Sequence, residues 1–142
     1  MKGKILIVDD LADFRKLLRN ALEDNNTITE ADSKAALEKA LTQEQPELVL
    51  LDVKLPDGNG LELLPAIKKR WPETEVIVLT GAPDDKEALS WAVEATKRGA
   101  FNFLRKSAEF DFEKLLADVN NALEHCRQTA ETSMLRRALE TM

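Results

Sequence analysis

The chain has 142 residues, 44% apolar and 32% charged, with 20 Lys and Arg against 26 Asp and Glu and a net charge of −6. Those proportions describe one soluble globular domain large enough for a proper core, and they exclude a disordered chain. The longest apolar runs (ILIV, LVLL, VIVL) are too short to cross a bilayer, and the acidic balance repels phosphate backbones; no membrane span and no direct nucleic-acid binding by this chain are expected.

The first run, Ile5–Val8, is apolar on both faces and β-branched, which predicts a buried parallel strand, and Asp9 and Asp10 follow it directly. The N-terminus meets acid straight after that run, which is not expected of a signal peptide. Phe14, Leu17, Leu18, Ala21 and Leu22 form the apolar stripe of a first helix. Thr27–Ala31 is polar enough for an edge strand. Ala36, Leu37, Ala40 and Leu41 mark a second helix, with Pro46 beyond it. Leu48–Leu51 is a second doubly apolar strand, and Asp52 follows it. Pro56-Asp57-Gly58 predicts a tight turn, with Asp57 a turn residue rather than a ligand.

Leu61, Leu63, Leu64 and Ile67 predict a third helix, closed by Pro72, with Trp71 packed over its end. Val76–Leu79 is the next buried strand, and Thr80 follows it. Asp84 or Asp85 is expected to cap a fourth helix with the stripe Ala88, Leu89, Ala92, Val93 and Ala95. Trp91 belongs at the rim of the core; the alternative is an exposed partner contact. Gly99 ends that helix, and Phe101–Leu104 is the last strand, shortly before Lys106.

Phe112, Leu115, Leu116, Val119 and Leu123 begin a fifth helix that no Gly or Pro interrupts before Met142. Its apolar pattern continues through Cys126, Ala130, Met134, Leu135, Ala138 and Leu139. A helix of that length extends ~45 Å, well past one sheet. Positions 112, 116, 119, 123, 126 and 130 keep heptad spacing, which slips near Ser133, so the stripe is expected to pair with a second copy. A frayed tail is the alternative. A globular domain over 1–124 and a helical extension over 125–142 are the expected divisions. His125 and Cys126 lack companions for a metal site, and a single cysteine suits a reducing, cytoplasmic setting.

Five β-α units imply a flavodoxin-like (βα)5 α/β fold: a doubly wound parallel sheet of order 2-1-3-4-5, with right-handed crossovers. Ligands of such sheets sit beyond the carboxyl ends of the strands. Asp9, Asp10, Asp52, Thr80 and Lys106 all fall there. Three clustered carboxylates repel one another unless a cation joins them, and hard oxygen ligands suit Mg²⁺, which leaves one acid free to react. A carboxylate can attack phosphorus to give an acyl phosphate. That transfer needs chiefly positioning and neutralisation of the phosphoryl oxygens, which Lys106 and Thr80 can supply.

As they stand in ILIVDD, LVLLDVKLPDGNGLEL, VIVLTG and GAFNFLRK, these residues resemble the receiver domain of two-component response regulators, from about Lys4 to about Glu124. The resemblance implies that Asp52 is the phosphoacceptor, served by a sensor histidine kinase or phosphotransfer protein. It implies direct Mg²⁺ ligation by Asp10, Asp52 and the backbone carbonyl of Lys54, with Asp9 acting largely through water. Thr80 and Lys106 would bind the phosphoryl group, and Phe103 would turn inward on activation. Dimerisation through the C-terminal helix or through the face formed by the fourth helix, fifth strand and fifth helix is expected. The extension, with TGAPDDKEALSWAVEATKRGAFNFL and LLADVNNALE, resembles the receiver and linker of enhancer-binding transcription activators, which implies a transcriptional output.

Three features depart from the family pattern. Ser107 stands where proline on a cis bond is usual; a cis bond before serine costs ~2.5–4 kcal/mol, so a trans bond is expected. The stretches Thr80–Gly99 and Ser107–Phe112 both read as a few residues long. Two other functions compete with the phosphoacceptor switch. A pseudo-receiver that only dimerises is one. A haloacid-dehalogenase-type phosphatase is the other, but Asp9-Asp10-Leu11-Ala12 fails its D-x-D-x-T pattern. The chain is therefore expected to act as a switch rather than as a turnover enzyme.

Overall fold

Five parallel strands make one sheet in the order β2-β1-β3-β4-β5: β1 Gly3–Val8, β2 Asn26–Ala31, β3 Leu48–Leu51, β4 Glu75–Thr80 and β5 Asn102–Arg105. This is the expected flavodoxin-like order, seen in a computed structural model that describes residues 3–107 and 110–141. The helices are α1 Ala12–Leu22, α2 Lys34–Ala40, α3 Leu64–Arg70, α4 Asp85–Lys97 and α5 Phe112–Glu140. A short antiparallel hairpin, Lys54–Leu55 with Gly58–Asn59, follows β3 and leads into a 3₁₀ turn over Gly60–Leu63. Gly58 takes a φ of 143°, a region costly for any side chain, so the predicted Pro56-Asp57-Gly58 turn forms where glycine allows it.

Strand alternation divides the core in two. Leu6, Val8, Val49, Leu51, Val76 and Val78 face one side with residues of α2, α3 and α4. Ile5, Ile7, Leu48, Leu50, Ile77 and Leu79 face the other with residues of α1 and α5. Each such buried aliphatic contributes roughly 1.5–3 kcal/mol, which is why strands this short hold their register.

Two helical stripes are narrower than the sequence suggests. On α1 only Leu18 and Leu22 are buried, with Phe14 partly so, while Leu17 is 52% exposed. On α4 only Ala95 is fully buried, and Leu89 at 67% and Val93 at 46% face outward. A short helix lying on a twisted sheet buries a single i, i+4 row, so the flanking row stays wet. Trp71, at the C-terminal end of α3, is fully buried in the same core as Leu64 and Ile67 of that helix. Trp91 packs at the rim of the same core, as anticipated.

Helix starts follow the expected chemistry. Ser33 Oγ accepts from Ala36 N–H at 3.1 Å, and Asp84, not Asp85, caps α4 by accepting from Glu87 N–H at 2.8 Å. Asp85 instead pairs with Arg105 at 2.6 Å. Asp57 does more than turn the chain: its carboxylate accepts from Lys34 N–H (2.7 Å) and Ala35 N–H (2.9 Å), capping α2 from a distant loop. Among the described residues no peptide bond is cis, so Lys106–Ser107 is trans as expected. The predicted lengthening of Ser107–Phe112 involves Ala108 and Glu109, which lie outside the described residues.

α5 is continuous for 29 residues. Leu115, Val119, Ala122, Leu123 and Cys126 are buried, whereas Leu116, on the expected stripe, is 37% exposed. Past the sheet, Arg127 binds Glu47 at 3.1 Å and Arg137 approaches Glu73 at 3.7 Å. Among the described residues no helix is long and apolar enough to cross a membrane.

Candidate functional site

Three of the residues singled out at strand ends are fixed by the neighbouring strand. Asp9 N–H donates to the Ala31 carbonyl (3.0 Å), Asp52 N–H to Val8 (2.9 Å) and Lys106 N–H to Thr80 (2.8 Å). The last rungs of the sheet thus aim these side chains at one place.

Asp9, Asp10 and Asp52 each offer a carboxylate oxygen to a common point, with those oxygens within 4.8 Å of one another. Asp9 and Asp52 are buried, at 2% and 5% exposure, and Asp10 is exposed at the mouth. Asp9 Oδ1 accepts from Leu11 N–H at 2.9 Å. Lys106 Nζ reaches between the two buried acids, 2.5 Å from Asp9 Oδ2 and 3.2 Å from Asp52 Oδ2. One ammonium therefore faces three carboxylates.

That imbalance has consequences. Burial pushes the Asp52 carboxyl above its ordinary value; the Lys106 ammonium opposes this and the Asp9 charge adds to it. Among the described residues, the buried side-chain atoms left without a hydrogen-bond partner are Asp52 Oδ1 and Thr80 Oγ1. Unsatisfied buried polar atoms cost about 1–3 kcal/mol each, so their coincidence at one site calls for a ligand. The donor set, three clustered carboxylates, fits a hard divalent cation such as Mg²⁺.

Lys54 and Gly60 lie on the loop after β3, and Phe103 on β5. Lys54 is exposed, with its Nζ 5.6 Å from the centre of the Trp91 ring. Phe103, on β5, is half-buried against the core face shared with α2, α3 and α4. Sequence reasoning missed Gly60. Its N–H donates to the Val53 carbonyl at 2.7 Å, and a Cβ there would lie 2.1 Å from the Asp52 carbonyl oxygen. Only glycine lets the returning loop press against the acceptor strand; the DGNG run carried a turn signal but not that close approach. His125 and Cys126 lie away from the acid cluster, on α5. His125 Nδ1 faces Glu75 at 3.2 Å, and burial, then the Glu47 and Glu75 charges, push the Cys126 thiol up to about 11.

Comparison with known proteins agrees with this geometry. Residues 5–120 match the response regulator receiver domain. The DNA-binding transcriptional regulator NtrC of Proteus hauseri is 34% identical over 142 residues, 99% of this chain but 29% of NtrC. The photosynthetic apparatus regulatory protein RegA of Rhodobacter capsulatus is 37% identical over 120 residues, 84% of this chain and 60% of RegA. The chain therefore spans less than two thirds of these relatives. Among solved structures, NtrX from Brucella abortus in complex with ADP superposes with a TM-score of 0.83 at 33% identity, over 95% of this chain and 30% of NtrX. The BeF3-activated DrrB receiver domain gives 0.76 at 32% identity, over 87% of this chain and 99% of that domain's chain. A family match across most of the chain, on a fold that gathers three acids, a threonine and a lysine at one sheet end, leads to one conclusion: this chain belongs to the response regulator receiver domain family.

Proposed function

We propose that the chain is a phosphoacceptor switch in which Asp52 takes a phosphoryl group from the phosphohistidine of a sensor kinase or phosphotransfer protein. The observation that carries this reading is the pair of orphaned buried oxygens, Asp52 Oδ1 and Thr80 Oγ1, beside the acid cluster and Lys106. Asp52 attacks phosphorus; the P–O bond forms as the P–N bond breaks, and the imidazole leaves with the electron pair. Asp9, Asp10, Asp52 and the Lys54 backbone carbonyl would hold Mg²⁺, which when bound neutralises charge on the transferring oxygens. Lys106 and the Thr80 hydroxyl would then donate to the phosphoryl oxygens, and the same pocket would return the phosphoryl group slowly to water. Asp10, being exposed, is free to meet a hydrated ion; Asp9 is already engaged by Leu11 N–H and Lys106.

Drawing Thr80 inward would open space for the half-buried Phe103, so phosphorylation shifts a pre-existing equilibrium felt by α4, β5 and α5. We assign the receiver to 1–124 and an extension to 125–142, with output in transcription, as the names NtrC and RegA suggest, and a cytoplasmic location. Exposed Met134, Leu135 and Leu139 support a homodimer through α5, and exposed Leu89 and Val93 keep the α4-β5-α5 face as the other route. With a net charge of −6, direct nucleic-acid contact is left to other parts of a longer protein. The test is intact mass after incubation with acetyl phosphate and Mg²⁺. Wild type should gain one phosphoryl group and Asp52→Asn none; undiminished labelling of the variant would place the acceptor elsewhere.

A further inference from the structure

We propose that Phe14 is a positioning residue for Lys106, an aromatic platform that holds the ammonium over the acid pocket. The inference rests on the reading of Lys106 as a phosphoryl ligand. Lys106 Nζ stands 4.3 Å from the centre of the Phe14 ring, well inside the range in which a ring face attracts a cation. Phe14 meets Phe110 edge-on at 5.9 Å, and Phe110 meets Phe112 edge-on at 4.9 Å. The platform is thus braced by two further rings from the segment that follows the lysine. Phe110 N–H donates to the Ser107 carbonyl at 3.1 Å, which ties the first of those rings to the residue after Lys106.

The lysine needs such a guide. Its flexible stem carries a charge that three carboxylates compete for, and it sits closer to Asp9 than to the acceptor. A carboxylate or carbonyl in the place of Phe14 would be a further competitor, and an aliphatic chain would give no attraction. A ring face draws the cation without offering an oxygen, so the ammonium can pass from Asp9 towards a phosphoryl group on Asp52 while keeping its support. Burial agrees with this role. Phe14 shares its α1 row with Leu18 and Leu22, yet those two are fully buried and Phe14 only partly so.

The test is a double-mutant cycle on the rate of phosphorylation by acetyl phosphate with Mg²⁺. Phe14→Leu, which keeps apolar bulk but loses the ring, should slow wild type by about three- to tenfold, in keeping with a partly desolvated cation–ring contact. Phe14→Tyr should restore the rate to within about twofold for the same reason. In a Lys106→Met background, Phe14→Leu should have no further effect, because the contribution travels through the ammonium. Proton NMR supplies a readout independent of transfer: the Lys106 ε-methylene protons should lie upfield in wild type and Phe14→Tyr, and move downfield in Phe14→Leu. Equal slowing in both backgrounds, or no upfield shift in wild type, would reduce Phe14 to packing. If wild type takes up no phosphoryl group, the reading of Asp52 fails, and the NMR shift alone decides whether Phe14 holds Lys106.

Discussion

Both ends of this sheet collect acids, and they treat them in opposite ways. At the amino end, Glu47, Glu73 and Glu75 are each met by a basic group: Arg127 at 3.1 Å, Arg137 at 3.7 Å, and Lys68 at 3.9 Å with His125 at 3.2 Å. Most of those partners come from α5, whose long reach past the sheet is thereby fastened to the domain. At the carboxyl end, Asp9, Asp10 and Asp52 cluster beside one ammonium that contacts only Asp9 and Asp52, and among the described residues two buried oxygens there go without partners. Charge that is balanced locally serves stability alone. Charge that is left unbalanced in a buried place is compensated by something that arrives.

The largest expected effect comes from deepening that imbalance. Lys106→Met removes the ammonium between two buried carboxylates and should destabilise the chain by about 3 kcal/mol in urea denaturation without Mg²⁺. Mg²⁺ should recover a large part of that cost by binding the folded state. A cost unaffected by Mg²⁺ would mean that the three acids do not form a cation site.

Gly60→Ala attacks the carboxyl end from its backbone. The new Cβ would overlap the Asp52 carbonyl, so a loss of about 2 kcal/mol, together with slower phosphorylation, is expected. A melting temperature equal to that of wild type would show that the loop yields without cost. At the amino end the effects should be smaller. Arg127→Gln breaks a partly exposed pair with Glu47 and should cost no more than about 1 kcal/mol, with and without Mg²⁺ alike. Mg²⁺ dependence there would erase the contrast between the two ends.

The smallest effect concerns acid stability. Burial works to raise the Glu30 carboxyl, but Arg19 and Arg15 more than offset it and hold Glu30 below its ordinary value. A depressed carboxyl lends stability that is present above its unfolded pKa and is lost as pH falls through the folded one. Glu30→Gln should therefore lower stability slightly at neutral pH and converge with wild type in acid, as urea midpoints across pH would record. A constant difference at every pH would contradict that linkage.

Much of this was legible in the chain, for identifiable reasons. Strands buried on both faces leave continuous β-branched runs, so β1, β3 and β4 could be placed to within one or two residues, and the acids after them pointed to the sheet end. Local rules also sufficed for the Gly58 turn and for a cap at Asp84 or Asp85. What escaped depends on tertiary encounters. Asp57 caps α2 because the hairpin after β3 swings it beside Lys34. Leu17, Leu89 and Val93 fit a helical stripe, but which row of that stripe meets the sheet is set by packing. The burial of Asp9 and exposure of Asp10 follow from strand alternation at the last rung, which the pair of letters DD does not reveal. Nothing in the spacing of Phe14, Lys106 and Phe110 announces that they meet.

The position at which a phosphoryl group forms its bond is the decisive observable. After incubation with acetyl phosphate and Mg²⁺, borohydride reduction converts an aspartyl phosphate to homoserine, which peptide mass spectrometry can assign to a single position. Homoserine at residue 52, absent when Mg²⁺ is chelated, is the predicted result. Reduction at Asp9 or Asp10, or at no carboxylate while wild type carries phosphate, would contradict it.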